Sequence, residues 1–207
     1  MSQQQRSIND LLLELNEYPG MDLVYRDKMM TKFPDTEVIN RNVYILDNCI
    51  DKRVLDIGCA GPLHKDIREV ASKCYGIDQT LVKDDPDFLQ MTIGKDPLPV
   101  YEVDLIICGE IIEHLSNPGL FLDELKKCYP TVEKIITVPN AFASAHAGWT
   151  KSGKENTNRD HVAYYSYTTM SNLLTRHGYK ITNFYWYDNP ESSRQQGFNE
   201  GLVFVAI

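Results

Sequence analysis

The sequence lacks the cysteine pattern of a disulfide framework. Its five cysteines, Cys49, Cys59, Cys74, Cys108 and Cys128, are odd in number and no two form a CxxC pair, which argues against stapled loops and against a cysteine-rich zinc site. The thiols read instead as small buried hydrophobes. His64, His146 and His177 stand at no metal-ligand spacing from cysteine or acidic partners, so no structural zinc and no bound metal is expected. Long apolar runs are missing too, since none approaches the ~18 residues of a membrane-spanning helix. The start, Met1-Ser-Gln-Gln-Gln-Arg6, is polar; neither a signal peptide nor a membrane anchor is expected, and a cytoplasmic location is the default reading. Clustered positive charge is also absent. Lys and Arg total 21 against 29 Asp and Glu, a formal net charge of -8, which repels a polyanion and disfavours broad nucleic-acid binding. Beyond one short glutamine run there is no low-complexity tract, and there is no internal repeat.

What is present is the composition of a folded chain: 43% hydrophobic and 24% charged residues, near the globular averages of about 45–50% and 25%. Residues 8–50 read as helical. Ile8, Leu11, Leu12, Leu13 and Leu15 make one apolar cluster, Val38, Ile39, Val43, Ile45, Leu46 and Ile50 another, with breaks at Pro19-Gly20 and Pro34. From residue 51 the pattern changes to short apolar runs separated by helical or polar stretches, as in strands alternating with helices around a mostly parallel sheet. Strands are expected near 53–57, 73–77, 88–93, 103–108 and 133–138, with helices at 63–71, 80–84 and 118–128. A helix from Thr168 to Arg176, an aromatic strand from Tyr179 to Tyr187 and a last strand from Leu202 to Ile207 follow. Two consecutive terminal strands predict a hairpin added to the sheet. The chain thus divides into a helical extension, 1–50, and an α/β domain, 51–207.

Chemistry is concentrated after the first strands. The apolar run of Arg53-Val-Leu-Asp-Ile-Gly-Cys-Ala-Gly-Pro62 ends in a loop of small residues, which lets backbone approach a ligand closely. Further on, Lys73-Cys-Tyr-Gly-Ile-Asp78 ends in a carboxylate, placed to accept hydrogen bonds from the ribose hydroxyls of a nucleoside. Together these segments resemble the first two motifs of the class I methyltransferases that depend on S-adenosylmethionine (SAM). Val103-Asp-Leu-Ile-Ile-Cys-Gly-Glu-Ile-Ile-Glu-His-Leu-Ser-Asn-Pro118 is similar to the fourth-strand segment of their small-molecule members, and Ile135-Ile-Thr-Val-Pro-Asn140 to the fifth. The resemblance covers roughly residues 50–207. It implies a Rossmann-like three-layer α/β sandwich with a mostly parallel seven-stranded sheet and a C-terminal antiparallel hairpin. It also implies SAM as methyl donor, S-adenosylhomocysteine (SAH) as product, and cofactor contacts at Asp56, Gly58, Cys59, Ala60, Gly61, Asp78, Gln79, Asp96, Cys108, Gly109, Glu110 and Ile111. Asp96 is the residue placed to contact adenine. The loop departs from the family pattern of alternate glycines, having Ala60 and Pro62 with Gly61 between them; Pro62 suits the start of the next helix.

Methyl transfer needs placement above all, and a base when the acceptor is a hydroxyl. Histidine suits that role near neutral pH. The candidates are His114, after the fourth strand, and His161, in Asn158-Arg-Asp-His-Val-Ala-Tyr-Tyr-Ser166. His161 follows a polar stretch, 141–158, read as a lid without regular structure. Asn140, His146, Trp149, Tyr164 and Tyr165 are the candidate acceptor contacts. Glu110 and Glu113 share a face if their turn is helical, and are read as binding backbone or solvent in preference to a metal. The segment from Val138-Pro-Asn-Ala-Phe142 to Asp160-His-Val-Ala-Tyr-Tyr-Ser166 also resembles methyltransferase-like proteins found with glycan-assembly enzymes. The expected acceptor is therefore a small polar molecule, a sugar or glycan end, methylated on oxygen. Against a nucleic-acid methyltransferase stands the absence of an Asn-Pro-Pro-Tyr type motif or a Pro-Cys nucleophile after the fourth strand. A protein methyltransferase, a non-catalytic SAM-fold binding protein and a nicotinamide dehydrogenase are the other readings; the Glu-His-Leu-Ser-Asn-Pro segment and the terminal hairpin oppose the last.

Overall fold

Short apolar runs that alternate in side-chain direction become the two faces of one sheet. In the computed structural model of the chain, which describes residues 32–188 and 195–207, the strands are β1 (Val38–Ile39), β2 (Arg53–Ile57), β3 (Lys73–Asp78), β4 (Phe88–Gln90), β5 (Leu105–Gly109), β6 (Glu133–Pro139), β7 (Ile181–Tyr187) and β8 (Gly201–Ala206). Their order is β1-β7-β8-β6-β5-β2-β3-β4. All pairings are parallel except those of β8 with β6 and β7. The sheet therefore has the expected architecture, a mostly parallel sheet with a terminal antiparallel hairpin, plus one strand beyond the seven expected.

That eighth strand, β1, lies in a segment read as helical. Val38 pairs with Trp186 and Ile39 with Tyr187. Two residues are too few to show a period of two in sequence. The rest of the second apolar cluster is helical, as α1 (Arg41–Cys49), whose first turn is capped by the Asn40 side chain accepting from the Val43 N–H at 3.1 Å. The helical expectation for residues 8–31 lies outside the described residues. β1 and α1 belong to the same compact unit as the sheet, Phe33–Ile207.

Along β2, Val54 packs on one face and Leu55 and Ile57 on the other, and β5, β6 and β8 repeat the alternation. The first face is covered by Ile45 and Cys49 of α1 and Ile67 of α2 (Leu63–Val70). Phe121, Leu122 and Leu125 of α3 (Pro118–Cys128) cover the second, with Met170 and Leu174 of α5 (Tyr167–Arg176). Between them in sequence lies α4 (Ser144–Lys151). Burying both sheet faces is what a parallel sheet requires.

Two further expectations are corrected. Residues 80–84 form bends and turns, not a helix. There the Asp78 carboxylate accepts from the Thr80 N–H at 2.7 Å and the Asp85 carboxylate from the Asp87 N–H at 3.0 Å; such local side-chain bonds compete with helical ones, and Asp84 has φ 61°. Conversely, the stretch 141–158 contains α4, because Ala145 and Ala147 favour helix within a segment whose glycine and serine suggest a loop.

Candidate active site

The order of the sheet reverses between β5 and β3, on either side of β2, and in open α/β sheets ligands settle beyond the strand ends at such a point. Gly58 follows β2 at φ 83°, a conformation L side chains avoid. A Cβ there would lie 3.2 Å from the Ile111 side chain. Across the opening, the Asp78 carboxylate at the end of β3 accepts the Ala60 N–H at 3.1 Å and the Thr80 N–H at 2.7 Å. A carboxylate offers about four acceptor directions, so Asp78 orders both loops and keeps capacity for hydroxyl donors.

Between these loops opens a cavity of about 660 Å³, lined by Gly58, Ala60, Asp78 and Gln79 on one side and Glu110, Ile111 and His114 on the other, with Thr92–Lys95 beneath. Its volume falls in the usual range of roughly 300–1,000 Å³ for small-molecule sites. A loop that a Cβ would crowd, a carboxylate with acceptor capacity at the end of the adjoining strand and a cavity of this size fit SAM.

The remaining expected cofactor residues are placed differently. Asp96 lies outside the lining and accepts the Thr92 N–H at 2.7 Å, bracing the turn that forms the floor. Cys108 is fully buried in the core, and Gly109 packs beside the Arg41 guanidinium. Cys59 is buried next to Gly76, while Gly61 faces open space. Asp56 turns away from the cavity to His64: His64 Nδ1 is 2.8 Å from Asp56 Oδ2 and Nε2 is 2.8 Å from Asp85 Oδ2. Burial by itself would lower the His64 pKa, but the hydrogen bonds it donates to the two carboxylates outweigh this and hold the imidazole above its ordinary value. Room for the ring exists because residue 76 is glycine; a Cβ there would stand 2.8 Å from it.

On the opposite wall, Glu110 takes φ 56°, costly for a side chain with a full Cβ and a mark of functional positions. Its carboxylate accepts from Thr137 Oγ1 at 2.9 Å and lies 3.8 Å from Arg41 Nε, which itself donates to Thr137 Oγ1. Arg41 belongs to no motif, His64 was noted only for lacking metal-ligand spacing, and Thr137, though inside the fifth-strand segment, was not named as a site residue.

The next turn, a 3-10 helix at Ile112–His114, brings the two catalytic candidates together. The His114 and His161 rings meet edge to face at 4.6 Å between centroids. Both have a nitrogen near Glu113 Oε1, His114 Nε2 at 4.0 Å and His161 Nε2 at 3.9 Å, beyond hydrogen-bond range. The Glu113 carbonyl ties this turn to the 158–166 segment by accepting from the Val162 N–H at 2.9 Å. Burial, and next the Glu110 charge, push the Glu113 carboxyl up to about 8. Burial and the neighbouring His114 hold His161 below the ordinary histidine value.

His161 also lines a second cavity, of about 270 Å³, with His146, Thr157, Asn158 and Tyr164. Of the expected acceptor contacts, His146 and Tyr164 thus reach this cavity. Asn140 does not: its buried amide donates to the Gly197 and Asn199 carbonyls, both at 2.9 Å. Tyr165 is buried in the core, bridging to Asn140, and Trp149 is exposed, with Lys154 Nζ 5.7 Å from its ring centre.

Comparison with known proteins gives the family and the fold. A family model described as a methyltransferase domain matches residues 3–183. No curated protein matches the chain. Among solved structures, a SAM-dependent methyltransferase from Mesorhizobium loti is 17% identical, with a TM-score of 0.60 over 80% of this chain and 95% of that one. The 1,6-didemethyltoxoflavin-N1-methyltransferase of Burkholderia thailandensis, crystallised with 1,6-didemethyltoxoflavin and SAH, is 12% identical with a TM-score of 0.58, covering 100% of this chain and 92% of its own. The small RNA methyltransferase HEN1 is 16% identical with a TM-score of 0.63, over 86% of this chain but 26% of that protein. At these identities the likeness speaks for the fold. The chain belongs to the methyltransferase-domain family. Its activity is methyl transfer, and the cavity between Gly58 and Asp78 fits SAM as the methyl donor.

Proposed function

We propose that the enzyme methylates a hydroxyl oxygen of a small polar acceptor, a sugar or glycan end. The observation that carries the reading is the seam formed by the histidine pair: His114 lines the cofactor cavity, His161 lines the second, and their rings touch. A proton acceptor is thereby available where a methyl acceptor in the second cavity would meet the cofactor. When bound, SAM supplies an electrophilic methyl on a sulfonium. The loops around Gly58 and Asp78 would hold it, and His161, its pKa held below the ordinary histidine value by burial and by His114, takes the hydroxyl proton as the oxygen attacks. His146, Asn158, Thr157 and Tyr164 give the acceptor side hydrogen-bonding groups and one aromatic face, the lining that suits a polyhydroxy molecule. The likeness of the 138–166 segment to proteins found with glycan-assembly enzymes supports the same class. An amine acceptor would leave the histidine pair with less to do.

The test is a screen with isotope-labelled methyl SAM against nucleotide sugars and free sugars, with small amines and RNA oligonucleotides as the contrasting sets. Label in an O-methyl sugar, located by NMR, is the expected result; label only in amine nitrogen or RNA overturns the reading. His161→Ala should then lower kcat by roughly 10²–10⁴-fold while the affinity for SAH is kept.

A further inference from the structure

We propose that Glu113, His114 and His161 form a divalent-cation site at the mouth of the cofactor cavity, and that the cation binds the acceptor hydroxyl. The inference rests on the O-methylation reading and deepens it. One potential ligand atom from each of the three residues lies within 4.8 Å of the other two. Glu113 is 1% exposed and, among the described residues, neither of its carboxylate oxygens has a hydrogen-bond partner. Buried carboxylates are nearly always satisfied, and one that is not calls for an explanation such as an ion. The Nε2 atoms of His161 and His114 lie near the same oxygen, at 3.9 and 4.0 Å. They are too distant to donate to it and near enough to share an ion with it, since ligand bonds of about 2.0–2.2 Å need only a closing movement of roughly an ångström.

Two imidazoles and one carboxylate are a donor set for a first-row dication such as Mn²⁺ or Zn²⁺, and three protein ligands leave positions open for the acceptor. Those positions lie where His114 meets the cofactor cavity and His161 the second cavity. A hydroxyl bound to the cation loses its proton to solvent water more readily. Its oxygen lone pair then forms the bond to the methyl carbon while the bond from that carbon to sulfur breaks, the electron pair stays on sulfur, and the thioether SAH leaves. No oxidant or reductant enters. The cation thus replaces direct proton transfer to His161: the imidazole acts as a ligand, and the proton passes to water. The spacing was invisible in sequence because His161 is distant along the chain and joins the Glu113-His114 pair only through the fold.

The site is tested on the full chain after chelator treatment, by electron paramagnetic resonance and calorimetry with Mn²⁺ and then Zn²⁺. Expected is one saturable site whose affinity falls by about tenfold to a hundredfold or more in Glu113→Gln, a shape-conserving change, and again in His161→Ala, both variants retaining the wild-type circular dichroism and SAH binding. Folded wild type that binds neither metal saturably, or Glu113→Gln that binds as wild type does, overturns the proposal. The two readings fail separately. Full O-methyl transfer by the metal-free enzyme sinks the cation and leaves oxygen as the acceptor; a bound metal with label found only on nitrogen sinks the acceptor reading and, with it, the cation's role there.

Discussion

At the scale of single residues, the cofactor cavity depends on the absence of side chains as much as on their presence. Gly58→Ala places a methyl at φ 83° and 3.2 Å from Ile111. A stability loss of about 1 kcal/mol and a clear loss of SAH affinity are expected, measured by denaturant unfolding and calorimetry; unchanged binding would show that the loop does not hold the ligand. Of the residues that line the cavity, Gly58, Ala60 and Asp78 were legible because close backbone approach requires small residues and a nucleoside requires an acceptor. Gln79, Glu110 and Ile111, which also line it, were named from the family resemblance, and Thr92, Ile93, Gly94 and Lys95 were not named. Cys108 was named with them from its place in a motif, but strand alternation turns it into the core. The Glu113 carboxylate was read as meeting backbone or solvent; its burial without a partner depends on the later arrival of the 158–166 segment, which no local pattern announces.

Among the elements, the connection that follows β3 is held by a charged latch. His64 on α2 sits between Asp56 on β2 and Asp85 in the loop before β4, and Arg68 lies 3.5 Å from Asp85. The His64 pKa is raised from 6.5, so its contribution is complete below that value and is lost as pH rises through the higher folded value. Although burial opposes it, the hydrogen bond from His64 leads the effects that lower Asp85 below 3.8, so that contribution is present above 3.8 and is lost as pH falls. The latch is thus strongest between those limits. His64→Gln should destabilise by about 3 kcal/mol near pH 5, and the difference in Tm from wild type should shrink above neutrality; a difference that stays flat from pH 5 to 9 would show the histidine is not charged in the fold. This latch also explains why residues 80–84 fail as a helix: their polar groups serve turns anchored by Asp78 and Asp85. Helices bounded by apolar periodicity, α2, α3 and α5, were found within a residue or so of their ends, whereas α4, with neither an apolar stripe nor an N-cap side chain, was not.

Across the whole molecule, one sheet brings segments far apart in sequence to a common edge. β2 and β3 deliver Gly58 and Asp78, β5 delivers Glu110 and the turn to His114, and the chain beyond β6 returns His161 to them. The α/β order was legible because strand and helix periods alternate over most of the chain. β1 was not, and with it went Arg41 at the start of α1, whose partner Thr137 lies on β6. The most direct measurement is calorimetric titration of wild type and Asp78→Ala with SAM and SAH. Saturable micromolar binding of both ligands by wild type, lost in a folded Asp78→Ala, is the expected result; a folded wild type that binds neither ligand, or a variant that binds them equally well, would contradict the placement of the methyl donor between Gly58 and Asp78.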